Sequence, residues 1–363
     1  MKKITSVLLA AALALALSLM LAPVSAQAAI TATAFASGLN DPAGFTFAPD
    51  GRLFYGERPT GEIHIRSADG SADSLFFTIP DVVSNGEQGL LGIALDPNYP
   101  TTPHVFAYAT RLVSGQERNQ IIRITDTAGT GVAMQIIWSS ATVSGSYHDG
   151  GRIMFGPDGK LYAVVGEAHS SANAQNLTND AGKVLRMNPD GTAPADNPFA
   201  SKLMWSYGLR NSFGFDFDPV TGRLWETENG PECNDEINRI IAGRNYGWGP
   251  SETCSRPPRA PRNTNRDGPT PVMPLKYFTP TVAPTGAVFC NGCGLGSTTE
   301  RRLLFGEWET GRIVSLRLNS TRRSIAGSSN FYLHSNGIVS MEAAPGGTIY
   351  FSDATSIWKL SKI

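Results

Sequence analysis

The chain has 363 residues, a formal charge of −1, 38 glycines and 24 prolines. Such a balance excludes a basic field for nucleic acid, and glycine and proline spread without low-complexity runs argue for many tight turns rather than disorder. The length could hold two or three ordinary domains, but no linker interrupts it, and closed all-β folds run this long as one domain.

The first element is a leader. Lys2 and Lys3 precede an apolar run from Val7 to Leu21, and small residues then stand ready for cleavage near Ala26 or Ala28. This is the pattern of a secretory signal peptide over residues 1–28, because the run is shorter than a membrane span usually needs. Its removal takes both lysines and leaves −3 on residues 29–363. The mature chain is therefore expected in the periplasm or outside the cell, without a membrane span.

The mature chain repeats one unit: an apolar stretch, a proline turn and a strand. FAPDGRLFYGE at 47–57, ALDPNYPTTPHVFAYAT at 94–110, FGPDGKLYAVVGE at 155–167, FDPVTGRLWETEN at 217–229 and APGGTIYFSD at 344–353 all follow it. Their prolines at 49, 97, 157, 219 and 345 stand 48, 60, 62 and 126 residues apart, and the doubled last interval marks a further member. RRLLFGEWETG at 301–311 supplies that member's strand, its turn replaced by an insert containing Cys290 and Cys293. Each unit ends in a second alternating segment: EIHIR, QIIRI, KVLRM, EINRI, RIVSLRL and SIWKL. Alternation at period two predicts strands, and no window carries a sustained helical stripe. Six copies of about four strands each predict an all-β fold, a six-bladed β-propeller of four-stranded antiparallel blades occupying residues 29–363 as one domain.

Chemistry is expected in the loops at one end of the propeller axis. Gln88 stands before one unit in GEQGLLGIALDP, and His148 stands before another, followed closely by the pair Gly150-Gly151, where backbone and ligand can approach closely. Glu167 ends the strand of the His148 unit nineteen positions later, so an out-and-back path could bring its carboxylate to the imidazole and orient it as a general base. Arg210-Asn211 can grip the oxygens of a planar ligand, or bond the carbonyls of a neighbouring blade. Gly230-Pro231 follow a strand in ENGPECNDEINRI, where Asp235 and Glu236 are either hard oxygen ligands for calcium or ordinary turn carboxylates.

All four cysteines lie in the mature chain, and export permits disulfides. Nearness in sequence pairs Cys233 with Cys254 and Cys290 with Cys293. A redox role for CNGC and a four-cysteine zinc site are the lesser alternatives. A redox pair normally opens a helix, and the C-x20-C-x35-C-x2-C spacing is not that of two close pairs.

Together HDGGRIMFGPDGKLY, EQGLLGIALDP, GLRNSFGFDFDP and the ENGPECNDEINRI to NYGW segment resemble the glucose/sorbosone dehydrogenase family, in that order and across essentially the whole mature chain. The resemblance implies a six-bladed propeller that binds pyrroloquinoline quinone (PQQ) and calcium, oxidises aldoses to lactones and passes electrons to an external acceptor. It further implies His148 as the base that takes the anomeric hydroxyl proton, Glu167 as the carboxylate behind it, and Gln88 beside the reacting centre. Arg210, Asn211 and Thr281 match positions that contact the cofactor; Gly230 and Pro231 match backbone ligands of its calcium; Asp235, Glu236 and Tyr246 match a second calcium region.

Four positions depart from the family pattern. Glu309 stands where it has a lysine, and Gly337 and Val339 stand where it has two arginines; Phe213 replaces a glutamine. PQQ carries three carboxylates, and each lost charge-assisted bond is worth about 1.5–3 kcal/mol. An exported quinoprotein sugar dehydrogenase is therefore expected, and the alternative is a secreted propeller without PQQ that binds carbohydrate or protein. Hydrolysis of a lactone or ester at a metal-centred propeller is a weaker third reading. Nicotinamide is not expected, since no G-x-G-x-x-G joins a strand to a helix.

Overall fold

The computed structural model describes residues 29–143, 145–251, 254 and 264–363. The expected leader lies outside the described residues, as does most of the proline-rich loop before position 264. Six four-stranded antiparallel sheets make up the chain. The first blade comprises β2 (Gly44–Phe47), β3 (Leu53–Gly56), β4 (Glu62–Arg66) and β5 (Asp73–Thr78). The second comprises β6 (Leu90–Leu95), β7 (His104–Val113), β8 (Gln116–Thr127) and β9 (Thr130–Ser139). The third has β10 (Ile153–Phe155), β11 (Leu161–Val165), β12 (Lys183–Met187) and β13 (Met204–Tyr207), and the fourth β14 (Ser212–Phe217), β15 (Leu224–Glu228), β16 (Asp235–Ile240) and β17 (Lys276–Phe278). The fifth has β18 (Pro284–Phe289), β19 (Leu303–Glu307), β20 (Arg312–Leu318) and β21 (Ile325–Leu333). β22 (Ser340–Ala343), β23 (Ile349–Ser352) and β24 (Ser356–Lys362) belong to the sixth, whose outer strand is β1 (Ile30–Ser37) from the other end of the chain.

The repeat read from the sequence maps onto this pattern with one correction. The alternating segments such as EIHIR and KVLRM are third strands of their blades, not the last; a fourth, less regular strand follows each, except that β1 pairs with β24 from Ile30↔Lys362 to Ser37↔Ser356. β1 thereby ties the chain's two ends into one blade and covers what would be an open sheet edge. The innermost strands succeed one another around the axis, and β22 packs against β2 to close the ring.

Stacked sheets bury the second strands on both faces, which is why LFYG, LYAVV, LWETE and IYFS are buried along their whole length. Six apolar clusters form the core, one between each pair of adjacent blades. Phe54, Ile63, Leu90 and Val105 fill the gap between blades one and two, for example, and Leu39, Phe45, Tyr55 and Ile357 the gap between blades six and one. Each such side chain contributes about 1.5–3 kcal/mol on burial, so the ring is held by many equal seams. The proline turns join first to second strands at the end away from the site. In two of them Gly51 and Gly159 close the turn at positive φ, with bonds to the carbonyls of Ala48 and Gly156. Both expected disulfides form: Cys233–Cys254, and Cys290–Cys293 in the insert between β18 and β19. The one helix among the described residues is α1 (Ser171–Gln175), and no helix there is long and apolar enough to cross a membrane.

Candidate active site

Two kinds of loop meet at one end of the axis: those entering each innermost strand, and those joining second to third strands. They enclose a cavity of about 420 Å³ to which all six blades contribute, from Asp41 and Arg58 of the first to Val339 at the sixth. This is the size of a small-molecule site.

His148 reaches the cavity from the loop before β10. Its backbone sits at φ +62, a strained value for a residue with a side chain, and the surroundings impose it. The His148 N–H donates to Glu87 Oε2 at 2.8 Å, its carbonyl accepts from Ala168 at 3.2 Å, and a Cβ at Gly166 would collide with that carbonyl. The next residue anchors the loop: the Tyr108 hydroxyl donates to the Asp149 carbonyl at 2.9 Å, and Asn119 Nδ2 donates to Asp149 Oδ1 at 3.0 Å. The imidazole Nδ1 meets Glu167 Oε1, which lies just past β11 and is almost fully buried. That contact leaves Nε2 as the nitrogen available to a ligand. His169 packs edge-on against the His148 ring at 5.0 Å.

Blade four supplies the opposite side. Arg210 lies over the Trp248 ring at 5.4 Å and donates through Nη1 to the Asn229 carbonyl at 2.9 Å. Burial pushes its guanidinium below its ordinary range, although Glu167, Glu228, Glu87 and Asp235 draw it back. Asn211 Nδ2 donates to the same Glu87 oxygen that holds His148, at 2.9 Å. Asn211 Oδ1 and Asn229 Oδ1 are buried without a hydrogen-bond partner, which is the signature of a site built for a further ligand.

Of the other residues singled out from the sequence, Thr281, Gly230, Pro231 and Asp235 line the cavity. Asp235 spends both carboxylate oxygens on backbone amides, accepting from Gly230 at 2.7 Å, Val282 at 2.6 Å and Ala283 at 2.8 Å, so it clamps two loops together. Glu236 lies beneath the cavity floor beside Glu226 and Glu228, all three accepting from Asn238 Nδ2 at 2.9–3.2 Å. Burial, and then mutual repulsion, raises Glu226 and Glu236 well above the carboxylate range, and burial chiefly lifts Glu228 to about 8. Gly230 and Pro231 adjoin a small void of about 10 Å³ that Glu228 and Glu236 also line. The Tyr246 hydroxyl is committed to the backbone of Arg239 and Ile241.

Gln88 is placed differently from expectation. It is buried beside the cavity but absent from its wall, its Nε2 donating to Glu117 at 2.7 Å, and the adjacent Glu87 faces the cavity instead. Sequence reasoning also missed Arg58, paired with Asp41 at 2.5 Å and donating to the carbonyls of Gly86 and Gln88. Three further basic residues are absent from the cavity wall. Lys183 is buried against the carbonyls of Asn173, Ala174 and Ala181, while Arg244 and Arg312 are exposed elsewhere.

A histidine held by a carboxylate, an Arg-Asn pair with an unpaired amide oxygen and an axial cavity form an arrangement with the chemical means to take a proton from a small ligand. The family model for glucose/sorbosone dehydrogenases matches residues 39–359. The chain belongs to the glucose/sorbosone dehydrogenase family. Quinoprotein glucose dehydrogenase B of Acinetobacter calcoaceticus is 30% identical over 243 residues, covering 58% of this chain and 51% of that protein. The Escherichia coli aldose sugar dehydrogenase YliI is 29% identical over 239 residues, covering 62% and 63%. The chain thus matches between half and two thirds of the length of these two relatives. Over a fuller span, the PQQ-bound aldose sugar dehydrogenase of Streptomyces coelicolor superposes with a TM-score of 0.78 at 27% identity, over 93% of this chain and 99% of that one.

Proposed function

We propose that this family member is an exported, PQQ- and calcium-dependent sugar dehydrogenase that oxidises aldoses to lactones and passes the electrons to an external acceptor. The observation that carries the reading is the His148–Glu167 pair presented to the axial cavity opposite Arg210 and Asn211. The residues on the side of blades three to five suit a polar, planar cofactor: Arg210, Asn211 with its unpaired Oδ1, and Thr281 would hold it, with Arg58 the second cation of the wall. When bound, such a quinone supplies the two-electron acceptor. Hard oxygens suit calcium in the same region, where the backbone of Gly230 and Pro231 meets Glu236, whose Oε1 is buried without a partner. Asp235 would act there by clamping the loops.

In this mechanism the Glu167 carboxylate accepts a hydrogen bond from His148 Nδ1–H and so sets the tautomer whose Nε2 can act as a base. Nε2 then takes the proton of the anomeric hydroxyl, and the Glu167 carboxylate stabilises the imidazolium that forms. Glu87, bonded to both the His148 amide and Asn211, keeps base and cofactor-side residues in register.

The test is reconstitution of purified protein with PQQ and calcium, followed by dye reduction with a panel of aldoses. Turnover is expected; absence of both quinone binding and turnover would overturn the reading and favour a binding propeller. Chelation should lower the melting temperature of the calcium-loaded protein, because a ligand bound only to the folded state stabilises it; an unchanged melt removes the metal from the proposal.

A further inference from the structure

The alternation of EIHIR in β4 sends Ile63 and Ile65 into the seam between blades one and two, and it leaves Glu62, His64 and Arg66 on the face turned to blade six. Register brings further residues to that face. Tyr55 of β3 stands opposite His64, and Glu57, just past the same strand, donates its amide to the Glu62 carbonyl at 2.8 Å. Asp73 of β5 stands opposite Arg66. None of these side chains lines the axial cavity.

The patch holds one imidazole in a fixed pose. Its Nδ1 lies 3.1 Å from Asp73 Oδ1 and donates to it, since a carboxylate can only accept. The ring stacks on Tyr55 at 5.2 Å and 16°, and the other Asp73 oxygen accepts the Tyr55 hydroxyl at 2.9 Å and pairs with Arg66 at 3.1 Å. An anchored carboxylate behind one ring nitrogen is the support that metal-binding histidines carry. It leaves Nε2, buried and without a hydrogen bond, facing the carboxylates of Glu57 and Glu62.

An acceptor nitrogen facing two carboxylates needs positive charge between them, which a proton or a metal ion can supply. The spacing selects the metal. His64 Nε2 and Glu62 Oε2 stand 3.5 Å apart, too far for a charge-assisted hydrogen bond of about 2.7–2.9 Å. Ligand atoms bonded at about 2.0–2.2 Å in a tetrahedron stand about 3.3–3.6 Å apart, and one atom each of Glu57, Glu62 and His64 lies within 4.8 Å of the others. Glu57 can give one oxygen while its Oε1 accepts the Asn40 amide at 3.2 Å. Charge agrees as well: Arg66 matches Asp73, which leaves two glutamates for one divalent ion.

We propose that Glu57, Glu62 and His64 bind a divalent first-row transition metal, with zinc as its probe, and leave a fourth position to water. An imidazole ligand disfavours calcium and magnesium, which take oxygen. The site lies apart from the axial cavity and does not depend on the dehydrogenase reading. A metal there would fasten β3 to β4 at the foot of the turn that carries Arg58 to the cavity wall.

Calorimetric titration of ZnCl2 into chelator-stripped protein tests this, in neutral buffer with excess CaCl2 so that sites built of oxygen are already filled. One zinc per chain is expected to bind here, and MgCl2 to give no binding heat. His64→Gln and Glu62→Gln are expected to abolish this binding, and Asp73→Asn to weaken it about 10–100-fold, the usual effect of losing a histidine's carboxylate support. Zinc should raise the Tm of the native protein and leave that of His64→Gln unchanged. An anomalous difference map at the zinc edge, from native crystals soaked in ZnCl2, should place the ion against all three side chains whether or not the variants fold. No zinc uptake by the native protein assigns the cluster to a proton and overturns the proposal. Uptake that survives unchanged in both ligand variants, or an anomalous peak only elsewhere, overturns it too.

Discussion

Two histidine–carboxylate pairs occupy equivalent places in this ring, and they differ in what they leave unpaired. In blade three His148 precedes the innermost strand and Glu167 follows the second strand; in blade six His334 and Asp353 do the same, again nineteen residues apart. His148 spends Nδ1 on its carboxylate and faces the cavity, and Glu167 Oε2 is buried without a partner. His334 instead spends Nε2, at 2.9 Å, and its ring is enclosed by Phe351 at 5.0 Å and Trp358 at 4.9 Å. Asp353 is saturated, accepting from His334, Asn336, the Trp358 indole and both the amide and hydroxyl of Thr355. One position in the blade thus yields either a histidine with a free nitrogen at the cavity or a histidine enclosed as a structural clasp. What decides is which nitrogen is committed and whether the carboxylate has spare capacity.

The largest effect should come from His148→Gln, with kcat reduced about 10²–10⁴-fold, the usual contribution of a general base, while quinone binding measured by absorbance is largely retained. Turnover close to that of the native protein would remove His148 from the role of base. Glu167→Gln should lower kcat about 10²-fold with little change in KM, because the amide can hold the ring in the wrong tautomer; a fall in thermal stability without a kcat loss would make Glu167 a second clasp and erase the contrast between the blades.

Asp353→Asn should instead cost about 2–3 kcal/mol in urea unfolding, since donors built around a buried carboxylate lose their acceptor. Burial raises the Asp353 carboxyl, but the bonds from His334, Thr355, Asn336 and Trp358 outweigh it and hold the group at about 2. A folded-state value below the unfolded one means that the native protein's advantage over Asp353→Asn is present above about pH 4 and disappears as the pH falls to about 2. An advantage that does not change across an acid titration would contradict this account. Smallest of all, His334→Gln should lower Tm by about 2–4 °C with activity per folded molecule unchanged; a loss of kcat would show that blade six contributes to the chemistry after all.

Much of this was legible in the sequence for a reason of distance. Prolines 49, 97, 157, 219 and 345 mark turns whose strands are neighbours in the chain, and His148 and Glu167 belong to a single blade, so an out-and-back path sufficed to join them. The fourth strands were harder to see because they are short or partly exposed, as with KYF and IAGSSNFYL, and carry little alternation. At Gln88 one residue's difference along a bent loop decides which side chain lines the cavity, and there Glu87 does.

The local pattern of apolar residues, turns and cysteines determined the blades, their number, the disulfides and the proximity of His148 to Glu167. Each of these depends on contacts between residues close in the chain. Ring closure through β1 and β24, the Arg58–Asp41 pair on the cavity wall, and the close packing of Trp308 against Gly337 were decided only by the tertiary structure. A propeller assembles its axial site from six separate segments, and which side chains meet there depends on how the blades stack, a property that no single segment encodes.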